Sequence, residues 1–312
     1  MLTNDLEPES VASISAASAY VPQIESRSQW HSIRGLRLHV RSWEAPGSSP
    51  APLVMLHGWM DCSASFQFIV DRLRRSGSVQ APDWRGFGLS ASSEADCYWF
   101  PDYLADLDRL LDQLSPERPV DLVGHSMGGN VAMLYAGIRP ERVRRLVNLE
   151  GMGLTATRPA QAPLRYRRWL DEIAQNAPSP RLYRTIEAVA ERLMRANPRL
   201  TAHRALFVAR HWTRAREDGG FEMLGDRAHK LVNPILYRVP EVLACWRKIR
   251  ADVLWVMAAE QPAGRWYSSG DELERRLRVI ASVRRAIVHD AGHMLHHDQP
   301  EQLADLIEDF FQ

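Results

Sequence analysis

From Gln29 onward, apolar and polar positions fall into two rhythms that take turns along the chain. Arg37-Leu38-His39-Val40-Arg41 alternates polar with apolar, as a half-buried strand does. Leu53–Leu56 is a continuous apolar run, which suits a strand covered on both faces. Phe66, Ile69, Val70 and Leu73 recur at helical spacing within Ser63–Arg75. The short strand Val79–Ala81 then leads into a glycine-rich turn, Asp83-Trp-Arg-Gly-Phe-Gly-Leu-Ser90, and Leu104, Leu107, Leu111 and Leu114 share one helical face of Pro101–Leu114. Val120–Val123, Met127–Gly137 and Val143–Leu149 continue as strand, helix and strand. Such alternation predicts an α/β class, with a mostly parallel central sheet and helices on both faces.

The alternation stops near Glu150. Leu164–Ala174, Pro180–Arg195, Thr201–Ala215 and Pro240–Ile249 read as helices, with no strand expected between Pro159 and Arg250. It resumes with Val253–Met257, Asp271–Ala281, Arg285–Val288 and a closing helix, Gln302–Phe311. A helical insertion between two strands of one sheet follows: core at 29–150 and 251–312, insertion at 151–250. Residues 1–28, rich in Ser and Ala and without period, are expected to be a poorly ordered arm.

Composition and charge narrow the choice. A chain of 312 residues, 45% apolar and 25% charged, can bury a sizeable core. Formal net charge is only +1, which excludes a polycation for nucleic acid. Within 151–250, however, 17 Arg and 2 Lys face 9 acidic residues, so positive charge is concentrated in the insertion. If Arg165, Arg167 and Arg168 faced a site there, they would steer anionic substrates inward. No apolar run approaches the roughly 20 residues of a membrane span, and residues 1–25 lack the pattern of a secretory signal. Cys62, Cys97 and Cys245 are odd in number and far apart, which argues against a disulfide framework or thiolate metal site and for a reducing compartment, the cytoplasm.

The sharpest chemical signal is Val120-Asp-Leu-Val-Gly124-His-Ser126-Met-Gly128-Gly129, a strand running through G-x-S-x-G straight into a helix. In a nucleophile elbow of this kind Ser126 sits on a strained turn, Gly124 and Gly128 permit close backbone approach, and the helix aims its positive end at developing negative charge. Met55-Leu56-His57-Gly58-Trp59 follows an earlier strand. An oxyanion needs two N–H donors, and the pair expected is that of Met127 and Trp59. His57 is expected to brace this loop rather than act as base. The base expected is His293, on a loop after the last strand. His289, His296 and His297 invite a metal reading, but they have no fixed facial spacing and no HExxH or cysteine pattern; no metal or cofactor is expected.

These segments together resemble the α/β-hydrolase fold from about Trp30 to Phe311. His57-Gly58-Trp59 resembles that family's oxyanion loop, Asp83–Ser90 its D-x-R-G-x-G-x-S turn, and Gly124–Gly129 its G-H-S-M-G-G elbow. His57–Phe66 and Leu149-Glu150-Gly-Met-Gly153 are similar to the serine hydrolase-like branch. The resemblance implies that 151–250 is a helical cap between the sixth and seventh strands of the sheet.

One departure concerns the triad acid, which the family usually carries as Asp after the seventh strand. Here that stretch reads Val253-Leu-Trp-Val-Met-Ala-Ala-Glu260-Gln261. Glu150, ending the sixth strand, is the favoured acid and Glu260 the alternative; haloalkane dehalogenases with their acid after the sixth strand are similar in position. Ser at the elbow disfavours dehalogenase and epoxide hydrolase chemistry, which need a carboxylate nucleophile. Hydroxynitrile lyases and cofactor-free haloperoxidases keep a similar triad. The expected activity is hydrolysis of a small-molecule ester or thioester through Ser126, His293 and Glu150. The alternatives are a carbon–carbon bond hydrolase and a non-catalytic ligand receptor of the same fold.

Overall fold

The computed structural model describes residues 19–45, 47, 51–75, 77–175, 182–260 and 270–312. The framework is an eight-stranded sheet. Its strands are β1 (Ser26–Ile33), β2 (Leu36–Ala45), β3 (Leu53–Leu56), β4 (Gly77–Pro82), β5 (Val120–His125), β6 (Val143–Leu149), β10 (Asp252–Ala258) and β11 (Val283–Val288). They lie in the order β1-β2-β4-β3-β5-β6-β10-β11. β2 pairs antiparallel with β1 and β4, and every pairing from β4 through β11 is parallel. Parallel strands end on one edge, so the loops after β3, β5, β6, β10 and β11 all open on the same side.

The continuous apolar runs are explained by two faces that are both covered. Leu53 and Met55 of β3 pack with Phe66, Ile69, Leu303 and Ile307, whereas Val54 and Leu56 pack with Leu107, Leu111 and Val131 on the opposite face. Alternate side chains thus enter different layers, and each must be apolar. Helices Phe100–Leu114, Met127–Ile138, Val239–Trp246 and Gly270–Leu277 cover one face. Short helical turns at Ser63–Val70 and Leu295–Asp298, with Pro300–Phe311, cover the other.

Between β6 and β10 stand helices Ala162–Ala174, Ile186–Ala196, Ala202–Trp212 and Val239–Trp246. The expectation of no strand in this stretch does not hold. β7 (Leu182–Tyr183), β8 (Thr213–Ala215) and β9 (Phe221–Met223) form a small antiparallel sheet in the order β7-β9-β8. Strands of two or three residues are too short to show a period of two, so no sequence pattern announces them. Val189, Ala190, Leu193, Leu206 and Phe207 pack with Ala64 and Phe68 of the main body, which fixes one side of the insertion.

The expected arm at 1–28 is also only partly an arm. Residues 1–18 lie outside the described residues, but Ser26–Ile33 is an edge strand. The Tyr20 ring meets Phe68 edge-on at 4.9 Å and Phe207 at 5.9 Å, and its hydroxyl donates to Asp71 at 2.7 Å. A single half-buried aromatic with a satisfied hydroxyl suffices to dock a segment whose composition looks featureless.

The turn after β4 is held to the body by a fork-to-fork pair: Arg85 Nε and Nη2 each lie 2.5 Å from an oxygen of Asp106, and both residues are buried. Removing Asp106 takes the near partner from Arg85, leaving it Asp102 at 3.8 Å, and frees Arg34 as well, a loss of about 3 kcal/mol. Asp106→Ala is therefore expected to lower the urea unfolding free energy by ~3 kcal/mol. A loss below about 1 kcal/mol would show that the turn does not depend on the pair.

Candidate active site

The elbow begins where β5 runs out. Ser126 has φ 51° and ψ −112°, a conformation L-residues avoid, and it directly precedes the helix Met127–Ile138. Its N–H donates to Leu149 C=O at 2.8 Å and its C=O accepts from Asn130 N–H at 3.0 Å, so both backbone groups of the strained residue are fixed. A Cβ at Gly128 would run into the carbonyl of Leu56, and one at Gly124 would meet the Gly128 carbonyl at 2.6 Å. Close approach of helix to strands requires glycine at both places.

His293, on the loop after β11, places Nε2 at 3.0 Å from Ser126 Oγ and Nδ1 at 3.3 Å from Glu150 Oε2. Glu150 is buried, and its other oxygen accepts the N–H of Ala258 at 2.7 Å. Like Ser126 it has a positive φ, of 58°. The surroundings that hold it there are specific. Its N–H donates to Val256 C=O at 3.0 Å, while the Asn148 side chain staples Gly151, accepting its N–H at 2.8 Å and donating to its C=O at 3.0 Å. The structure thus brings Ser126, His293 and Glu150 into one chain of contacts.

Glu260 is not part of it. That residue is exposed and forms an ion pair with Arg199 of the insertion. Gln261, the other residue at that place, lies outside the described residues.

His57 lies buried beneath the loop. Its Nδ1–H donates to Gly58 C=O at 2.8 Å and its Nε2 accepts from Trp84 N–H at 3.0 Å. Trp84 Nε1–H returns a bond to the His57 carbonyl at 3.0 Å. With both ring nitrogens committed to backbone, His57 braces the loop carrying Trp59. Asp83, at the head of the glycine-rich turn, performs similar work, taking Ser63 N–H at 2.6 Å, Leu89 N–H at 2.9 Å and the His39 ring at 2.8 Å. Burial alone would raise its pKa, but the His39 hydrogen bond and charge, with the Leu89 bond, hold it well below the usual carboxylate range.

A cavity of about 330 Å³ opens at Ser126. Its walls are mainly apolar and aromatic, including Trp59, Tyr98, Trp99, Phe100, Met152 and Leu231, with Met127, Asn130, His229 and Asn233 among the remainder. No Lys or Arg lines it among the described residues. Of the three arginines expected to steer anions, Arg165 donates to the carbonyl of the lining residue Asn233, Arg168 pairs with Glu172, and Arg167 is exposed.

Sequence reasoning missed the group that fastens the insertion beside the site. His229 is sandwiched between Phe87 at 3.7 Å and Tyr98 at 4.0 Å, and its carbonyl accepts Trp59 Nε1–H at 3.2 Å. Asp226 accepts from Tyr98 Oη at 2.5 Å and from Ser92 Oγ, while its N–H donates to Gly86 C=O at 2.7 Å. Nothing in the spacing of 226–229 announces this, since every partner is more than a hundred residues away.

A second histidine group lies next to the first. His125, His296 and His297 are all buried. Burial pushes the His296 and His297 imidazoles down to about 3, and that of His125 well below its ordinary value. Asp61, His125 and His296 offer donor atoms within 4.8 Å of one another, and Asp61 Oδ2, His125 Nδ1 and His296 Nε2 all lack a hydrogen-bond partner. Such orphaned buried atoms cost about 1–3 kcal/mol each. His289, by contrast, is exposed at the end of β11.

Comparison with known proteins agrees with this architecture. A sequence model of the alpha/beta hydrolase fold family matches residues 51–300. The chain is 30% identical to a serine hydrolase-like protein of Danio rerio, over 84% of this chain and 81% of that protein. It is 24% identical to serine hydrolase-like protein 2 of Homo sapiens, over 84% of this chain and 87% of that one. A thioesterase domain from the curacin biosynthetic pathway superposes with a TM-score of 0.78 at 24% identity, covering 91% of this chain and 99% of the domain, which is a likeness of fold. The chain belongs to the alpha/beta hydrolase fold family, in its serine hydrolase-like branch. Family and relatives put it among the hydrolases. Among the described residues no helix is long and apolar enough to cross a membrane.

The neutral buried histidines set an acid limit on the fold. In the unfolded chain histidine titrates near pH ~6.5; in the native state these three stay neutral well below that. From pH ~6.5 down to the depressed native values the unfolded state binds more protons, so stability falls as pH falls. The urea unfolding free energy is expected to be at least ~2 kcal/mol lower at pH 5 than at pH 7. A flat profile over that interval would mean that these rings are already charged in the folded protein.

Proposed function

We propose that the chain is a serine hydrolase of neutral carboxylic esters or thioesters, with the insertion as a cap over the site. One observation carries the reading: the Ser126–His293–Glu150 arrangement opens into an aromatic cavity to which, among the described residues, no Lys or Arg contributes. Ser126 Oγ–H donates to His293 Nε2, so the imidazole is poised to take the proton as Oγ attacks the acyl carbon. Glu150 accepts the His293 Nδ1–H, fixes the tautomer and stabilises the imidazolium. Its 3.3 Å separation is long for a charge-assisted bond and is expected to shorten as the ring becomes charged. The N–H groups of Trp59 and Met127 are the proposed oxyanion donors. His293 then protonates the leaving alcohol or thiol, and water, deprotonated by the same ring, releases the acid. Three free cysteines suit a reducing compartment such as the cytoplasm.

The cavity walls favour an uncharged, partly apolar acyl group over an anionic one, because burying a carboxylate without a cation is costly. Long-range steering by the basic insertion is a separate matter from the lining, since Arg165 keeps its charge against a carbonyl and Arg167 is exposed.

A fluorophosphonate probe is expected to label wild-type protein stoichiometrically and Ser126→Ala not at all. On p-nitrophenyl esters, Glu150→Gln should lose about three to four orders of magnitude in kcat, the scale of a triad acid, and Glu260→Gln less than about tenfold. The opposite ranking would move the acid to Glu260. Neutral esters of medium length should exceed carboxylate-bearing analogues in kcat/KM by about tenfold or more. Equal turnover of the two would mean that the cavity is not the acyl site, and absence of labelling would favour a ligand receptor on this fold.

A further inference from the structure

Three segments of the sheet edge converge beside His293, each bringing an unused donor atom. Asp61 lies on the loop after β3, His125 is the last residue of β5, and His296 belongs to the turn Leu295–Asp298. We propose that Asp61, His125 and His296 form a buried site for one divalent transition-metal ion of the zinc type.

Two of the three ligands are prepared by a second contact, and His296 offers two unpartnered ring nitrogens. His125 Nε2–H donates to the His293 carbonyl at 2.8 Å, which places the ring's lone pair on Nδ1, the atom with no partner. A backbone carbonyl on the far nitrogen is the usual companion of a metal-bound imidazole. Asp61 Oδ1 is occupied by the Cys62 N–H at 2.7 Å and by the Ser65 hydroxyl, leaving Oδ2 alone and oriented. His296 Nε2 stands 3.4 Å from Asp61 Oδ2, too poorly aligned for a hydrogen bond. Tetrahedral ligands at bonds of about 2.0–2.1 Å stand about 3.3–3.4 Å apart. That pair therefore already has the spacing of one tetrahedral edge.

The donor set points to the ion class. Two imidazoles and one carboxylate oxygen suit zinc, cobalt or nickel, whereas calcium and magnesium take mostly oxygen. Neutral, buried imidazoles need lose no proton to coordinate. Three protein ligands leave a fourth position for water. Bound there, the ion would tie together the segments that carry Trp59, Ser126 and His293, acting as a clamp on the site. Sequence reading set metal aside because His289, His296 and His297 share no helical face; the residues that complete the set lie 171 and 235 positions upstream of His296, at His125 and Asp61.

The test uses untagged, chelator-stripped full-length protein, with Zn2+ and Co2+ as probes. About one ion per chain is expected by elemental analysis after dialysis, with a melting temperature raised by about 3 °C or more on adding Zn2+. The Co2+ form should show the intense visible absorption of four-coordinate cobalt. Asp61→Asn and His296→Gln should each weaken Zn2+ binding at least tenfold, while His289→Gln, changed at an exposed histidine nearby, should bind as wild type. If wild type holds less than about a tenth of an ion per chain and shows no melting shift, the orphaned atoms are met by water and the proposal fails. Unchanged binding in folded Asp61→Asn and His296→Gln would overturn it equally, by placing the ion elsewhere. Should either variant fail to fold, the wild-type cobalt spectrum decides: octahedral, weakly absorbing cobalt rejects the site.

Discussion

The site depends on how closely one helix can approach two strands. Helix Met127–Ile138 begins hard against the ends of β3 and β5, where a side chain at Gly124 or Gly128 would overlap backbone carbonyls. Removing those side chains lets the chain reverse within one residue, and Ser126 carries the resulting strain at φ 51°. The Leu149 carbonyl that fixes Ser126 N–H belongs to β6, immediately before Glu150. Nucleophile and acid are therefore coupled through two neighbouring strands before any side chain is considered. The same crowding recurs at Gly129 and Gly151, both pressed against Asn148, whose amide holds the turn in which Glu150 sits. A rigid, strained edge of this sort suits a task in which small displacements of reacting atoms matter greatly.

What could be read from the sequence follows from how local the cause is. The elbow was legible because its glycines, serine and flanking strand lie within ten residues. Glu150 and Glu260 were both legible as candidates, since both end parallel strands on the same edge. Only the fold shows that one is buried against β10 while the other faces Arg199. Short strands β7 to β9, the docking of Tyr20 and the His229 sandwich were not legible. Each depends on partners brought together by tertiary packing, and two- or three-residue strands leave no periodic trace.

Charge clustering was visible in the sequence but its direction was not. An excess of arginine over 151–250 reads equally as a binding face or as a solvated surface. In the structure Arg214 and Arg216 pair with Glu222, Arg168 with Glu172, and Arg165 reaches a carbonyl. The walls above Ser126 are instead Trp59, Tyr98, Trp99 and Phe100, contributed largely by the main body. These arginines brace the insertion itself, while Arg199 and Arg204 tie it to the main body, and the described cavity walls are chiefly aromatic and apolar.

With Glu150 as the proposed acid, carried after β6 rather than β10, the two loops have different tasks. Glu150 has to reach His293 from under the sheet edge, and its longer side chain spans that gap while one oxygen stays fixed by the Ala258 N–H. β10 thus still holds Glu150, but through the Ala258 backbone N–H, a contribution that side-chain substitutions other than proline leave in place. The loop after β10 is released from supplying the acid, and its Glu260 turns outward to Arg199 of the insertion. Glu260, the alternative acid expected from the sequence, ties the loop after β10 to the insertion. On the proposed assignment the loop after β10 serves attachment rather than chemistry, while Glu150 is held beside His293 by β6 and by the Ala258 N–H.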